Sequence, residues 1–248
     1  MKTTFIKSIF AAFIILLSVN AKSEAQTYYP VYLCDGGTAT LHTPEESTLS
    51  AGDKVHWYLE GTEVATKTFN GTANETNYVT PNNLATGVHN YTSMIESSAG
   101  CFGEVSAPFQ VYQLPGKTLA LTANNTSYCG ENSSLSSIIT ATATTPGQAL
   151  PAGIEYAYVW SATKDGTNVN PLSGIGADDG SKTDVNKFTL NTTVAGTYVF
   201  NATVKYVLTT ANTGVLKSGD NRGCEVTATA PQTVTVTPKP VKPTIVIQ

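Results

Sequence analysis

Gly100-Cys101-Phe102-Gly103-Glu104-Val105-Ser106-Ala107-Pro108, running on into Phe109-Gln110-Val111-Tyr112, has a counterpart near the other end of the chain. There the sequence is Gly223-Cys224-Glu225-Val226-Thr227-Ala228-Thr229-Ala230-Pro231, then Gln232-Thr233-Val234-Thr235-Val236. Both copies hold Gly-Cys, six residues, Pro, and a run that alternates polar with β-branched or aromatic residues. A motif that returns in this way implies one structural unit used twice. The alternation implies that the unit ends on a β-strand.

Working backwards from each copy, the same landmarks recur in the same order. Leu33-Cys34-Asp35 answers to Tyr128-Cys129-Gly130, and Val55-His56-Trp57-Tyr58 to Tyr158-Val159-Trp160-Ser161. Val194-Ala195-Gly196-Thr197-Tyr198 answers to Leu84-Ala85-Thr86-Gly87, with Tyr91 two places late. Between the landmarks lie short alternating runs broken by turn residues: Val31–Leu33, Thr38–Leu41, Val55–Leu59, Glu63–Ala65, Asn77–Val79, Val88–Ile95 and Glu104-Val105. Glu60-Gly61 marks a hairpin. No window carries a sustained helical period with caps, so the expectation is an all-β chain of two tandem sandwiches, at 26–114 and 115–237. The second unit is longer, and its extra residues at 145–153, 163–184 and 209–223 read as loops, which absorb insertions at little entropic cost.

Four cysteines, Cys34, Cys101, Cys129 and Cys224, allow three pairings of two disulfides. If each unit carries its own pair, the bonds are Cys34–Cys101 and Cys129–Cys224. The Gly-Cys stretch would then staple a late turn to the first strands, with Pro108 and Pro231 opening edge strands that tolerate a missing N–H. Zinc is disfavoured, because no Cys-x-x-Cys is present and no histidine stands at ligand spacing from a cysteine.

The N-terminus is basic (Lys2, Lys7), then apolar from Ile9 to Leu17, then small around Ala21 and Ala25. That is the order of a secretory signal peptide, expected at 1–25, and its apolar run is too short to span a bilayer. The protein is therefore expected to be secreted or displayed at the cell surface, without a membrane span. The net charge of −4, and an acid excess that grows when the basic leader is removed, disfavours nucleic acid as a partner. At the other end, Pro238-Lys239-Pro240-Val241-Lys242-Pro243 is a stiff linker. It leads into Thr244-Ile245-Val246-Ile247-Gln248, which stands after the second unit as Lys117-Thr118-Leu119-Ala120-Leu121 stands after the first. Residues 238–248 thus read as a linker and a terminal strand able to pair with another sheet edge.

Cys-x-Gly, Trp-Tyr-Leu-x-Gly, Gly-x-Tyr, Gly-Cys and the closing Val-x-Val strand together resemble the Ig-like and PKD-like repeats of secreted and surface proteins of Bacteroidota. The resemblance implies β-sandwich domains acting as spacers, adhesion modules or binding modules. It also implies core roles for Trp57 and Trp160, with Tyr91 and Tyr198 as the companion aromatics. Antibody domains place that tyrosine two residues before the second cysteine; here it lies much further upstream of Cys101 and of Cys224.

Catalytic chemistry has little to draw on. His42, His56 and His89 are the only histidines, and strand alternation sets His56 and His89 towards solvent. No Gly-x-Ser-x-Gly elbow is present, and acids such as Glu45, Glu46, Glu60 and Glu63 sit in or beside turns. Asp165-Gly166-Thr167-Asn168 and Asp178-Asp179-Gly180-Ser181-Lys182-Thr183-Asp184 offer oxygen ligands for calcium, although neither matches an EF-hand loop. No cofactor is expected. Tyr28, Tyr29, Tyr32, Tyr156 and Tyr158 suggest a stacking face for sugars. The expected function is therefore a non-catalytic structural or adhesive surface module that contacts other surface proteins, with a glycan-binding accessory module as the alternative.

Overall fold

The computed structural model describes residues 28–34, 36–43, 47–131, 135–145, 147, 149–218 and 224–245. The signal peptide expected at 1–25, Glu45, Glu46 and the last three residues of the terminal strand lie outside the described residues.

The N-terminal half is built from β1 (Val31–Leu33), β2 (Thr40–Leu41), β3 (Lys54–Leu59), β4 (Thr62–Thr68), β5 (Tyr78–Val79), β6 (Gly87–Glu96) and β7 (Phe109–Gln113). The β3–β4 hairpin turns on Glu60 and Gly61, both at positive φ (50° and 78°), the conformation a two-residue hairpin loop requires. One sheet runs β1-β7-β6-β3-β4, with β1 parallel to β7. The facing layer is small, a pairing of β2 with β5 over two residues each. Leu33, Leu41, Val55, Trp57, Tyr91 and Val111 are buried between these layers. Glu104-Val105, expected as a strand, carries none, and Val105 is exposed.

The C-terminal half repeats the plan with fuller strands. A four-stranded sheet is ordered β13 (Gly176–Asp178), β14 (Val185–Leu190), β10 (Ser137–Thr144), β8 (Thr118–Ala123). It faces a sheet ordered β12 (Thr167–Asn168), β11 (Ile154–Lys164), β15 (Gly196–Leu208), β18 (Gln232–Thr237), β9 (Ser127–Cys129), with β17 (Val226–Thr227) on β15. Asp165-Gly166 makes the same positive-φ turn as Glu60-Gly61. In both halves the turn acid accepts a backbone N–H at the start of the neighbouring long strand: Glu60 from Asn90 and Asp165 from Thr197, each at 2.8 Å. The expected all-β sandwich architecture is what the chain adopts.

Two of the expected loops hold strands. Residues 163–184 contain β12 and β13. Residues 209–223 contain β16 (Val215–Lys217), which leaves its own half and pairs in parallel with β1, extending the N-terminal sheet to six strands. β1 offered a free edge with a full row of backbone groups, and covering such an edge satisfies those groups. Pro108 and Pro231 also differ from expectation. The strands they precede, β7 and β18, are interior ones flanked on both sides, and each proline stands one residue outside the ladder.

Candidate functional site

The register of the long strands aligns the two halves around their tryptophans. Trp57 on β3 pairs with Ser93, and Trp160 on β11 pairs with Ala202, so Ser93 stands for Ala202 and Tyr91 for Phe200. The same register puts His89 where Tyr198 stands. Tyr198 is fully buried and its hydroxyl donates to the Val194 carbonyl at 3.0 Å, the tyrosine-corner bond of Ig-type sandwiches. His89 makes the same backward bond, Nε2 donating to the Ala85 carbonyl at 2.7 Å. The sequence match that left Tyr91 two places late had paired the wrong aromatic. Gly87-Val88-His89 is the counterpart of Gly196-Thr197-Tyr198, and His89 is a corner residue rather than a solvent-facing one. Trp57 and Trp160 are buried, each with its indole N–H donated: to the Thr76 carbonyl at 2.8 Å and to Asn186 Oδ1 at 2.7 Å.

Tyr91 differs from Phe200 in carrying a hydroxyl, and among the described residues that hydroxyl is buried without a hydrogen-bond partner. Burial pushes its pKa far up, since a phenolate there would lose its water. Tyr91 as a residue borders a groove of about 500 Å³ between β2 and the β6–β7 side of the sheet, walled also by Leu41, Thr43, Ser93, Ser106 and Ala107. In the C-terminal sandwich the corresponding space is filled by β8. Leu119 of β8 is 1% exposed, β8 runs antiparallel along β10, and the Leu119 carbonyl accepts the Thr229 N–H at 3.3 Å. Among the described residues no strand of the N-terminal half takes that place.

The second concentration of unusual chemistry is the contact between the halves. Alternation on β1 and β7 turns Leu33 and Val111 into the N-terminal core, and turns Tyr32 and Tyr112 outward into the cluster that fills the C-terminal half. Asn212, buried at the tip of the excursion that leads to β16, donates to the Tyr32 hydroxyl at 2.9 Å and to the Gly153 carbonyl at 3.1 Å. The Tyr206 hydroxyl donates to the Pro115 carbonyl at 3.1 Å, and the Cys34 N–H to the Lys217 carbonyl at 2.8 Å. The Lys117 ammonium lies 3.8 Å from the centre of the Tyr206 ring and donates to the Cys224 carbonyl. Burial lowers the Lys117 pKa to about 8, with Glu225 opposing the shift.

The disulfide belongs to this contact as well. Cys34 is bonded to Cys224, with their Cα atoms 5.2 Å apart, while Cys101 and Cys129 are free thiols. The expected pairs Cys34–Cys101 and Cys129–Cys224 are therefore corrected, for a reason that lies in the strand directions. Cys34 follows β1, which is parallel to β7, so it stands at the end of the sheet where the chain passes to the C-terminal half. Cys101 follows β6, which is antiparallel to β7, so it stands at the opposite end, and β6 alone is about 30 Å long. A disulfide spans Cα atoms no more than about 7 Å apart. In the same way Cys129, level with Thr237, and Cys224, ahead of β17, sit at opposite ends of the C-terminal sandwich.

The remaining candidates divide. His56 is buried rather than solvent-facing, with Nε2 2.9 Å from Glu96, Nδ1 3.3 Å from Glu63 and the ring against Phe102. Hydrogen bonds from His56 and Lys54 lower the Glu96 pKa, and those from Thr66 and His56 lower that of Glu63. Alternation puts His56 on the strand face opposite Trp57, where it joins Lys54, Glu63 and Glu96 in an ion-pair network. Asp165 is engaged by Thr197 and by Lys164 at 3.0 Å. Asp178 and Asp179 accept N–H groups of Gly180 and Ser181 in their own turn, and Asp184 is exposed. Among the described residues no three His, Cys, Asp or Glu side chains gather to hold a metal. Of the tyrosines considered for sugar stacking, Tyr32 and Tyr156 are buried, Tyr29 packs on Tyr112 at 4.9 Å, and Tyr28 and Tyr158 are half-buried. Among the described residues no helix is long and apolar enough to cross a membrane.

No protein-family model matches the chain, and no curated protein does. Among solved structures the chain is similar to invasin, a bacterial integrin-binding protein, at 15% identity over 87% of this chain and 39% of that one, with a TM-score of 0.31. It is similar to a bacterial ice-binding adhesin of 1.5 MDa at 12% identity, 85% and 62% coverage and a TM-score of 0.38. It is also similar to immunoglobulin domains 1–4 of Sidekick-1, at 13% identity, 86% and 50% coverage and a TM-score of 0.25. The chain thus spans less than two thirds of each of these structures.

Proposed function

We propose that the chain is an exported, non-catalytic surface module: two Ig-like sandwich domains, at 26–114 and 115–237, held as a stiff spacer that presents a structural or adhesive surface, followed by the linker and terminal strand at 238–248. The observation that carries this is the contact between the halves. A crossing strand, a disulfide, a buried lysine over a tyrosine ring and a buried asparagine network all converge there. Ordinary inter-domain contacts leave domains free to move unless large and apolar; this one is bonded covalently and through backbone as well. Such reinforcement suits a part that must hold a distance or bear load. A disulfide is also at home in an oxidising compartment, which agrees with the leader read at 1–25.

The test is retention and stiffness measured together. Beads coated with residues 26–248 should adhere to protein-coated surfaces, and small-angle scattering should give one particle length that increases in variance when the disulfide is reduced. Scattering that fits two freely jointed bodies before reduction would remove the spacer reading. Retention on a glycan array alone would favour the accessory-module alternative.

A further inference from the structure

We propose that the chain associates head to tail with copies of itself: Thr244–Gln248 of one copy enters the open groove of the next copy's N-terminal sandwich as its missing strand, and Cys129 of the first copy bonds Cys101 of the second. The inference goes beyond the spacer reading and stands or falls separately from it.

Two independent observations meet here. The first is the groove. Several of its wall residues stand, by register, where the residues around β8 stand in the other half. Leu41 stands for Ile139, because Leu41 pairs with Tyr78 beneath Trp57 as Ile139 pairs with Phe188 beneath Trp160. Thr43 then stands for Ala141, the partner of Leu121. Ser93 and Ser106-Ala107 stand for Ala202 and Thr229-Ala230, and the Thr229 N–H bonds the Leu119 carbonyl. Tyr91 forms part of the groove wall as well.

The chain supplies its own candidate strand. β8 begins Thr118-Leu119-Ala120-Leu121 directly after the linker from β7, and Thr244-Ile245-Val246-Ile247 follows the linker from β18 with the same pattern. Val241 and Ile245 are 92% and 94% exposed, so these two apolar side chains have no cover within their own copy. Six residues of extended Pro-rich linker reach about 19 Å, enough to carry the strand clear of its own sandwich. The residues ahead of β1 are a poor substitute. Aligned on Cys34 and Cys129, they put Glu24 and Gln26 where Leu119 and Leu121 lie. Tyr28 turns instead against Gly153.

The second observation is the cysteine geometry. The bond that forms joins the first cysteine of one sandwich to the second cysteine of the following one. Cys129 occupies the same register as Cys34, level with the residue that leaves the interior strand, and Cys101 precedes Phe109 just as Cys224 precedes Gln232. Repeating the observed junction once more along the axis brings Cys129 to the Cys101 of a new copy, at the same junction into which the terminal strand would pass. Cys101 is exposed and Cys129 half-buried. The chemistry balances with a small-molecule disulfide such as oxidised glutathione. The Cys101 thiolate displaces one glutathione thiolate, the Cys129 thiolate displaces the second from the mixed disulfide, and two protein thiols become one bond as one glutathione disulfide becomes two thiols. A heterologous contact of this kind, repeated, builds open chains.

The test uses two versions of residues 26–248 in a glutathione redox buffer. Cys101→Ser keeps Cys129 and acts as donor; Cys129→Ser keeps Cys101 and acts as acceptor. Mixed, they should give a disulfide heterodimer at least tenfold faster than either gives homodimer, with Cys101 and Cys129 in one cross-linked peptide. Deleting 244–248 from the donor should cut that rate about tenfold, and the same deletion in the acceptor should leave it unchanged. Ala107→Trp, which fills the groove, should act in the acceptor only. A labelled peptide of residues 238–248 should bind the acceptor saturably without any thiol, and Ile245→Asp in the peptide should abolish binding, which keeps the test valid if the tryptophan variant misfolds. Equal effects of the deletion on either partner, heterodimer no faster than homodimer, a Cys101–Cys129 bond within one copy, or groove binding by a peptide of residues 22–27 in place of 238–248 would each overturn the proposal.

Discussion

Replacing Cys34 and Cys224 by serine should do more damage than any single core substitution, and the structure sets the size. The bond closes a stretch of 190 residues in sequence separation. In the chain-entropy model a loop of that length restrains the unfolded chain by about 5 kcal/mol at 25 °C. That is comparable with the whole stability of many domains. Because the bond links the two halves rather than closing either, the loss should show as uncoupling. Calorimetry of the native chain should give one transition, and the double-serine variant two, with the N-terminal half melting first because, among the described residues, its second layer is the short β2–β5 pair. Peptide mapping without reductant should recover Cys34 joined to Cys224 and free thiols at Cys101 and Cys129 in freshly isolated monomer. A Cys34–Cys101 peptide, or a double-serine variant with an unchanged single transition, would refute the reasoning, because either would mean that the bond does not cross the contact.

Three further outcomes are expected. Lys117 has a folded pKa of about 8 against 10.5 unfolded, so between those values the unfolded state binds more protons and stability should rise with pH, by roughly 3 kcal/mol in total. In Lys117→Met that rise should vanish from urea titrations at pH 7 to 10, with stability at pH 7 little changed, since relief of the buried charge offsets the donor lost to the Cys224 carbonyl. Tyr198→Phe should destabilise by about 1 kcal/mol through loss of the corner hydrogen bond, whereas Tyr91→Phe should be neutral or stabilising, because its hydroxyl has no partner; chemical denaturation reads both. Glu96 has its pKa lowered by His56 and Lys54, so its contribution is present above its ordinary value of 4.5 and is lost as pH falls through its lower folded value. Glu96→Gln should therefore weaken the protein at neutral pH and flatten its loss of stability on acidification, as followed by fluorescence of Trp57 and Trp160.

Much of the fold was legible because it rests on local rules. Glu60-Gly61 and Asp165-Gly166 specify hairpins through the positive φ they accept, and alternating side chains mark strands wherever one face is buried. Register was not legible. Tyr91 and Tyr198 look equivalent in a string of letters, yet the pairings of Trp57 with Ser93 and Trp160 with Ala202 make His89 the true counterpart. One signal was present, since Gly87-Val88-His89 keeps the spacing of Gly196-Thr197-Tyr198. Residues 209–223 carried none: Val215-Leu216-Lys217 is too short and mixed to announce a strand, and becomes one only against the free edge of β1.

The sequence by itself determined that this chain is all-β and that one plan is used twice, because both follow from the period and composition of neighbouring residues. Only the tertiary structure decided which cysteines meet, which edge β16 covers, and that, among the described residues, the N-terminal sandwich holds a groove where its repeat holds β8. Those facts depend on which ends of parallel and antiparallel strands come together in space, and strand direction leaves no mark on the order of the residues.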